Sequence, residues 1–164
     1  MRNTVAIAAS MLLVAACAEP EETPSYPYPE ETAEAPAQLV LGNGADNAIT
    51  TEGITRAGSV FTVPEVTIAR NGWLIMHPFR DGAPVGNEYV GSTRLEAGTT
   101  QDVEIDVGEA PETGDMFILM FHNDVNDDGV FDFGDGDKNV PDEPTFENGV
   151  MIAHAIAAPE DSGS

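Results

Sequence analysis

Between Asp124 and Asp135, side chains carrying oxygen recur at alternate positions in the run Asp124-Val125-Asn126-Asp127-Asp128-Gly129-Val130-Phe131-Asp132-Phe133-Gly134-Asp135. Calcium takes roughly six to eight oxygens from a flexible loop, and this spacing lets Asp124, Asn126 and Asp128 converge while Gly129 makes the sharp turn. The main-chain carbonyl of Val130, Asp132 directly or through water, and Asp135 would complete the shell. A helix-loop-helix calcium site needs a helix directly afterwards, which Gly134-Asp135-Gly136-Asp137-Lys138-Asn139-Val140-Pro141 cannot form. The expectation is therefore a calcium loop inserted between strands. The competing reading is a solvated acidic turn, since Asp, Asn and Gly are what turns use. Nine carboxylates from Asp124 to Glu147 face one Lys138, and a bound Ca2+ would relieve that repulsion, as would magnesium or a diffuse counterion cloud.

Three methionine and histidine pairs form a second constellation: Met76 with His77, Met120 with His122, and Met151 with His154. Thioether and imidazole together suit copper. A blue-copper centre would also need a thiolate, and the single cysteine, Cys17, is committed elsewhere. The alternative is methionine as core filler and histidine at strand ends. No G-x-S-x-G, H-E-x-x-H or phosphate-binding glycine loop is present, so no catalytic residue is assigned and the chain is read as a non-enzyme. Trp73 is expected to be a core anchor.

The elements that must position these residues are short strands. Ser59 to Val63 and Glu65 to Ala69 alternate on either side of Pro64, Asn71-Gly72 is the strongest hairpin signal, and Asp81-Gly82 is a second turn. Gln101 to Val107 turns Val103, Ile105 and Val107 to one side, Met116 to Phe121 is apolar on both faces and reads as a central strand, and Val150 to Ile156 is the last. No helical period appears between 38 and 158. The expected fold is all-β, a single sandwich of seven or eight strands with an inserted acidic loop, over residues 38–158.

Residues 1–16 read as an export signal: a short positive start, then an apolar run too short to span a bilayer. Leu13-Val14-Ala15-Ala16-Cys17 resembles the bacterial lipobox, which implies that Cys17 is diacylated and becomes the mature N-terminus. Two or three acyl chains anchor stably where one would not. Ala18, with no aspartate there, implies the outer membrane under the bacterial sorting rule. Residues 17–37 are a lipidated cysteine and a disordered proline- and glutamate-rich tether, about 60 Å at full polyproline II extension. Residues 159–164 read as a disordered tail. The 164-residue chain has a formal charge of −23, which disfavours nucleic acid and leaves the lipid anchor as the route to a membrane. An envelope protein or polymer is the remaining class of partner.

From about Gly58 to Ile156 the order of features resembles family 7282 of domains of unknown function, found in exported proteins of halophilic archaea and in bacteria. The carrying residues are Gly72-Trp73-Leu74-Ile75-Met76-His77 with Asp81-Gly82, Val90-Gly91-Ser92 with Leu95-Glu96-Ala97-Gly98, Val103-Glu104-Ile105, and Met120 with His122 ahead of Asp124 and Asn126. The resemblance implies an immunoglobulin-like sandwich outside the cytoplasm and supplies no activity. Within that frame His122 and Asp124, where a strand hands over to the acidic loop, are the best site candidates.

Overall fold

Val60-Phe61-Thr62-Val63 and Val66-Thr67-Ile68 belong to one strand that runs through Pro64 without breaking. The inward set changes from odd positions, Phe61 and Val63, to even ones, Val66 and Ile68. Opposite Pro64 the partner strand carries Asp102 at φ 50°. Proline has no N–H to give to a ladder, so a sheet interior accepts it only where pairing is locally interrupted. The register accordingly resumes unchanged on either side of that position.

The computed structural model describes residues 39–81, 83–132 and 142–163, within a unit running Ala37–Ser164. The export signal, Cys17, the tether and residues 133–141, Asp135 among them, lie outside the described residues. Twelve strands occur among the described residues: β1 Val40–Gly42, β2 Ala48–Thr50, β3 Thr55–Ala57, β4 Val60–Ile68, β5 Gly72–Arg80, β6 Ala83–Pro84, β7 Gly91–Leu95, β8 Gly98–Asp106, β9 Met116–Asn123, β10 Glu143–Pro144, β11 Phe146–Glu147 and β12 Val150–Ala157. Their number exceeds the expected seven or eight because half of them are two- or three-residue ladders, too short to leave an alternation.

In the smaller sheet β4 is central, with β8 along one side and β2 and β3 sharing the other. In the larger, β9 lies between β5 and β12, as its two apolar faces require. There β7 flanks β5, β1 runs parallel to β12, and β10 and β11 fill the corner between β9 and β12. The sheets pack face to face through Phe61, Val63, Val66, Ile68 and Ile105 against Leu74, Met76, Leu119, Phe121 and Ile152. The rings of Phe61 and Phe117 meet edge-on at 5.7 Å. Each such side chain, fully buried, contributes roughly 1.5–3 kcal/mol. The fold is an all-β sandwich.

Two expectations are corrected here. Asn71-Gly72 is not a hairpin: β4 and β5 belong to different sheets, and the pair carries the chain from one to the other. Asn71 makes that corner with its side chain, accepting from Ala97 N–H (3.0 Å) and donating to Asp127 Oδ1 (2.9 Å). β5 and β6 pair antiparallel, with Asp81 at φ 53° at the end of β5; Gly82, the other half of the Asp81-Gly82 turn signal, lies outside the described residues. The segment after β12, expected as a disordered tail, is held against β3 by the buried Arg56. Its Nε donates to the carbonyl of Pro159 (3.2 Å), and its own carbonyl accepts from Ser162 N–H (2.8 Å) and Oγ–H (2.7 Å).

Candidate functional site

Period-two alternation sends Leu74 and Met76 of β5, and Phe117, Leu119 and Phe121 of β9, into the core. The residues between them point out of the sandwich, where water is expected. Yet Ile75, His77, Ile118 and His122 are only 0%, 1%, 3% and 1% exposed. The larger sheet therefore carries a second apolar layer on its outer side. Part of its cover comes from the acidic loop, whose Phe131 places its ring 5.5 Å from Trp73, 5.2 Å from Tyr89 and 5.5 Å from His122. Trp73, opposite His122 in the ladder, is thus not the core anchor expected from sequence. It belongs to this outer layer.

Beside that cover lies a groove of about 430 Å³ with almost entirely apolar walls. Leu39 and Leu41 stand on one side and Pro84 on the other, and Ile118, Met120, Met151, His77 and His122 contribute the base. Leu39 and Leu41 are 60% and 43% exposed, so the apolar surface continues outward from the groove.

The two histidines are fixed by backbone carbonyls. His77 Nδ1 lies 2.6 Å from the carbonyl of Glu88, and His122 Nδ1 lies 3.2 Å from that of Asp142. A carbonyl only accepts, so each ring donates Nδ1–H, and in the neutral tautomer Nε2 is the lone-pair nitrogen. Burial lowers the pKa of His77, against the raising effect of the Glu88 carbonyl. Burial likewise takes His122 down to about 4, helped by the charge His77 would carry. The ring centroids are 5.8 Å apart and the planes 35° from parallel. Both imidazoles are therefore neutral near pH 7.

Of the six proposed copper ligands, the fold brings together His77, His122, Met120 and Met151 and separates the others. Met76 is fully buried between the sheets. His154, opposite Leu119 in the ladder, bonds through Nε2 to Asn43 Oδ1 at 2.7 Å.

Oxygens of the acidic loop are taken up by N–H groups of the loop itself and by Asn71 and Arg94 from outside it. Asp124, with a fully buried side chain, accepts from the N–H groups of Asp128 (3.2 Å) and Gly129 (3.0 Å) and from Arg94 Nη2 (3.3 Å). Asp128 accepts from Val130 N–H at 2.8 Å, and Asn126 bridges to Asp128 at 2.7 Å. Asp127 and Gly129 turn the chain at φ 57° and 69°. Asp132 contributes its N–H to Asp142 Oδ2 at 2.8 Å, and the Val130 side chain is exposed. Among the described residues no three carboxylate, imidazole or thiol groups converge as metal ligands.

Arg94 and Asp142 were not singled out from sequence. Arg94 supplies a cation to a loop far along the chain, and no local pattern announces such a pairing. Asp142 joins the loop to the histidines, its carboxylate to Asp132 and its carbonyl to His122. Burial first, and the charge of Asp124 after it, raise its pKa.

No curated protein and no solved structure matches this chain. A family model does match, over residues 47–158, which takes in every described strand but β1, together with the acidic loop and both buried histidines. The chain therefore belongs to the family described as Domain of unknown function (DUF7282).

Proposed function

We propose that this chain is a lipid-anchored cell-envelope protein whose sandwich is a binding module, with the apolar groove on the outer side of the larger sheet as its ligand site. The observation that carries the reading is the buried outer layer of Ile75, His77, Ile118 and His122. A sandwich needs only one apolar face per sheet to fold, so a second one open to a groove is surface kept for something else. The lipobox-like ending at Cys17 supports the anchor, Ala18 after it supports the outer-membrane address, and the tether supports display of the domain away from the lipid.

The test uses the mature protein made in a bacterial host with labelled palmitate and the neutral dye Nile red. Label should enter the wild type and be absent from Cys17→Ser. The dye should brighten on the wild-type domain and fail to do so with Met151→Glu, a variant expected to melt as the wild type does. Unlabelled protein removes the anchor from the proposal, and equal dye response in the two proteins removes the groove.

Within this reading the acidic loop is the cover's clasp, and calcium its expected ion. The alternating oxygens of Asp124, Asn126 and Asp128 support that choice, with Arg94 holding the place beside Asp124. Arg94→Met should lower stability by roughly 1–3 kcal/mol, the worth of a hydrogen bond to a charged group, and millimolar calcium should restore much of the loss in thermal melts. A melting temperature indifferent to calcium in both proteins would leave the loop an arginine-bound turn.

A further inference from the structure

We infer that His77, His122, Met120 and Met151 form a copper(I) site at the base of the outer groove. The inference rests on the reading of that groove as the ligand site and gives its ligand a chemical class.

The ladder supplies the first argument. His77 stands opposite Ile118 and His122 opposite Trp73, with the Ile75–Met120 pair between them. The two imidazoles nevertheless approach to 5.8 Å between centroids. They lean towards each other across the register position that holds Met120. Met151 reaches the same groove from β12.

The second argument is the tautomer. A metal-binding histidine donates its other ring N–H to a carbonyl or carboxylate, which fixes the ring and raises the basicity of the ligating nitrogen. Both rings do this, to the carbonyls of Glu88 and Asp142.

The donor set and its surroundings choose the metal. Thioethers are soft donors that suit copper(I), whereas calcium and magnesium take oxygen. Zinc would call for further imidazole, thiolate or carboxylate ligands, and among the described residues no third such group converges on the histidines. Desolvation cost grows with the square of the charge, so a groove with mostly apolar walls accepts a monovalent ion far more readily than a divalent one. The strongly acidic chain raises the local concentration of any cation before it enters.

The experiment is a competition between the mature protein and the chromophoric copper(I) chelator bicinchoninate under anaerobic, reducing conditions, with Nile red binding measured in parallel. The wild type should withdraw one copper per chain, and the shifted ring resonances should be the Nε2 atoms of His77 and His122 with Nδ1–H retained. The double variant Met120→Leu, Met151→Leu conserves volume, so the fold should persist, and it should bind copper about tenfold or more weakly, the scale of loss when a metal's immediate environment is altered. A His154→Gln variant should bind as the wild type. No withdrawal of copper, an unchanged affinity in the methionine variant, or shifts confined to His154 overturns the inference. Dye binding without copper binding leaves the groove standing and removes the metal, whereas loss of both removes the two together.

Discussion

Lowering the pH from 7 to 4 is expected to cost this domain about 3 kcal/mol of folding stability through His122 alone, since its pKa falls from 6.5 when unfolded to about 4 when folded. Between those two values the unfolded chain binds the proton and the folded chain does not. Stability from this group is therefore complete above about pH 6.5 and is lost as the pH falls towards 4. His77 acts in the same direction, because burial lowers its pKa too. Asp142 acts in the opposite direction: its folded pKa is raised, so its contribution is present in acid and fades as the pH rises through that value. Urea unfolding at pH 7 and pH 4 measures the sum, and ring resonances of His122 followed by NMR isolate the main part. A His122 midpoint near 6.5 would contradict the burial described for this ring.

The second large effect is expected at Gly72, where β5 and β9 begin to pair. A Cβ there would collide with the carbonyl oxygen of His122 and stand 3.3 Å from the Cα of Asn123. Backbone oxygen in the middle of a sheet cannot move aside as a flexible side chain would. Gly72→Ala should therefore destabilise by about 3 kcal/mol or more, prising apart the strands that carry His77 and His122. Gly86→Ala is the matched control, because its added methyl meets nothing within 4 Å and should change stability by about 0.5 kcal/mol or less. Chemical denaturation of the two variants side by side gives the comparison, and equal midpoints would show that β9 yields at this point.

Alternation makes β8, β9 and β12 readable from sequence. Met116 to Phe121 is apolar on both faces, and Trp73 to His77 has the same character, which in β5 signals the buried outer layer. The methionine and histidine pairs show the cost of reading neighbours in sequence as neighbours in space. Met76 and His77 are adjacent, so a strand must send them to opposite faces, whereas Met120 and His122 are two apart and share one. Met151 and His154, three apart, again separate. The acidic spacing was legible, but its partners were not: Arg94 and Asp142 reach the loop from β7 and from the residue before β10, and only the assembled sheet brings them there. The Asn71-Gly72 signal misled because a tight turn and a close strand approach both require glycine. The chain uses this one for the second purpose.

The corner at Asn71 has a kinetic consequence. Because β4 and β5 part there into different sheets, neither has its long partner next to it in the chain. Each must wait for β8 or β9 to be brought in from much further along. Loop-closure entropy is then spent before any long ladder rewards it, which places such topologies at the slow, millisecond-to-second end of single-domain folding. Until β9 arrives, β5 exposes two apolar faces at once, so the interval before it is paired is when this chain is most open to aggregation.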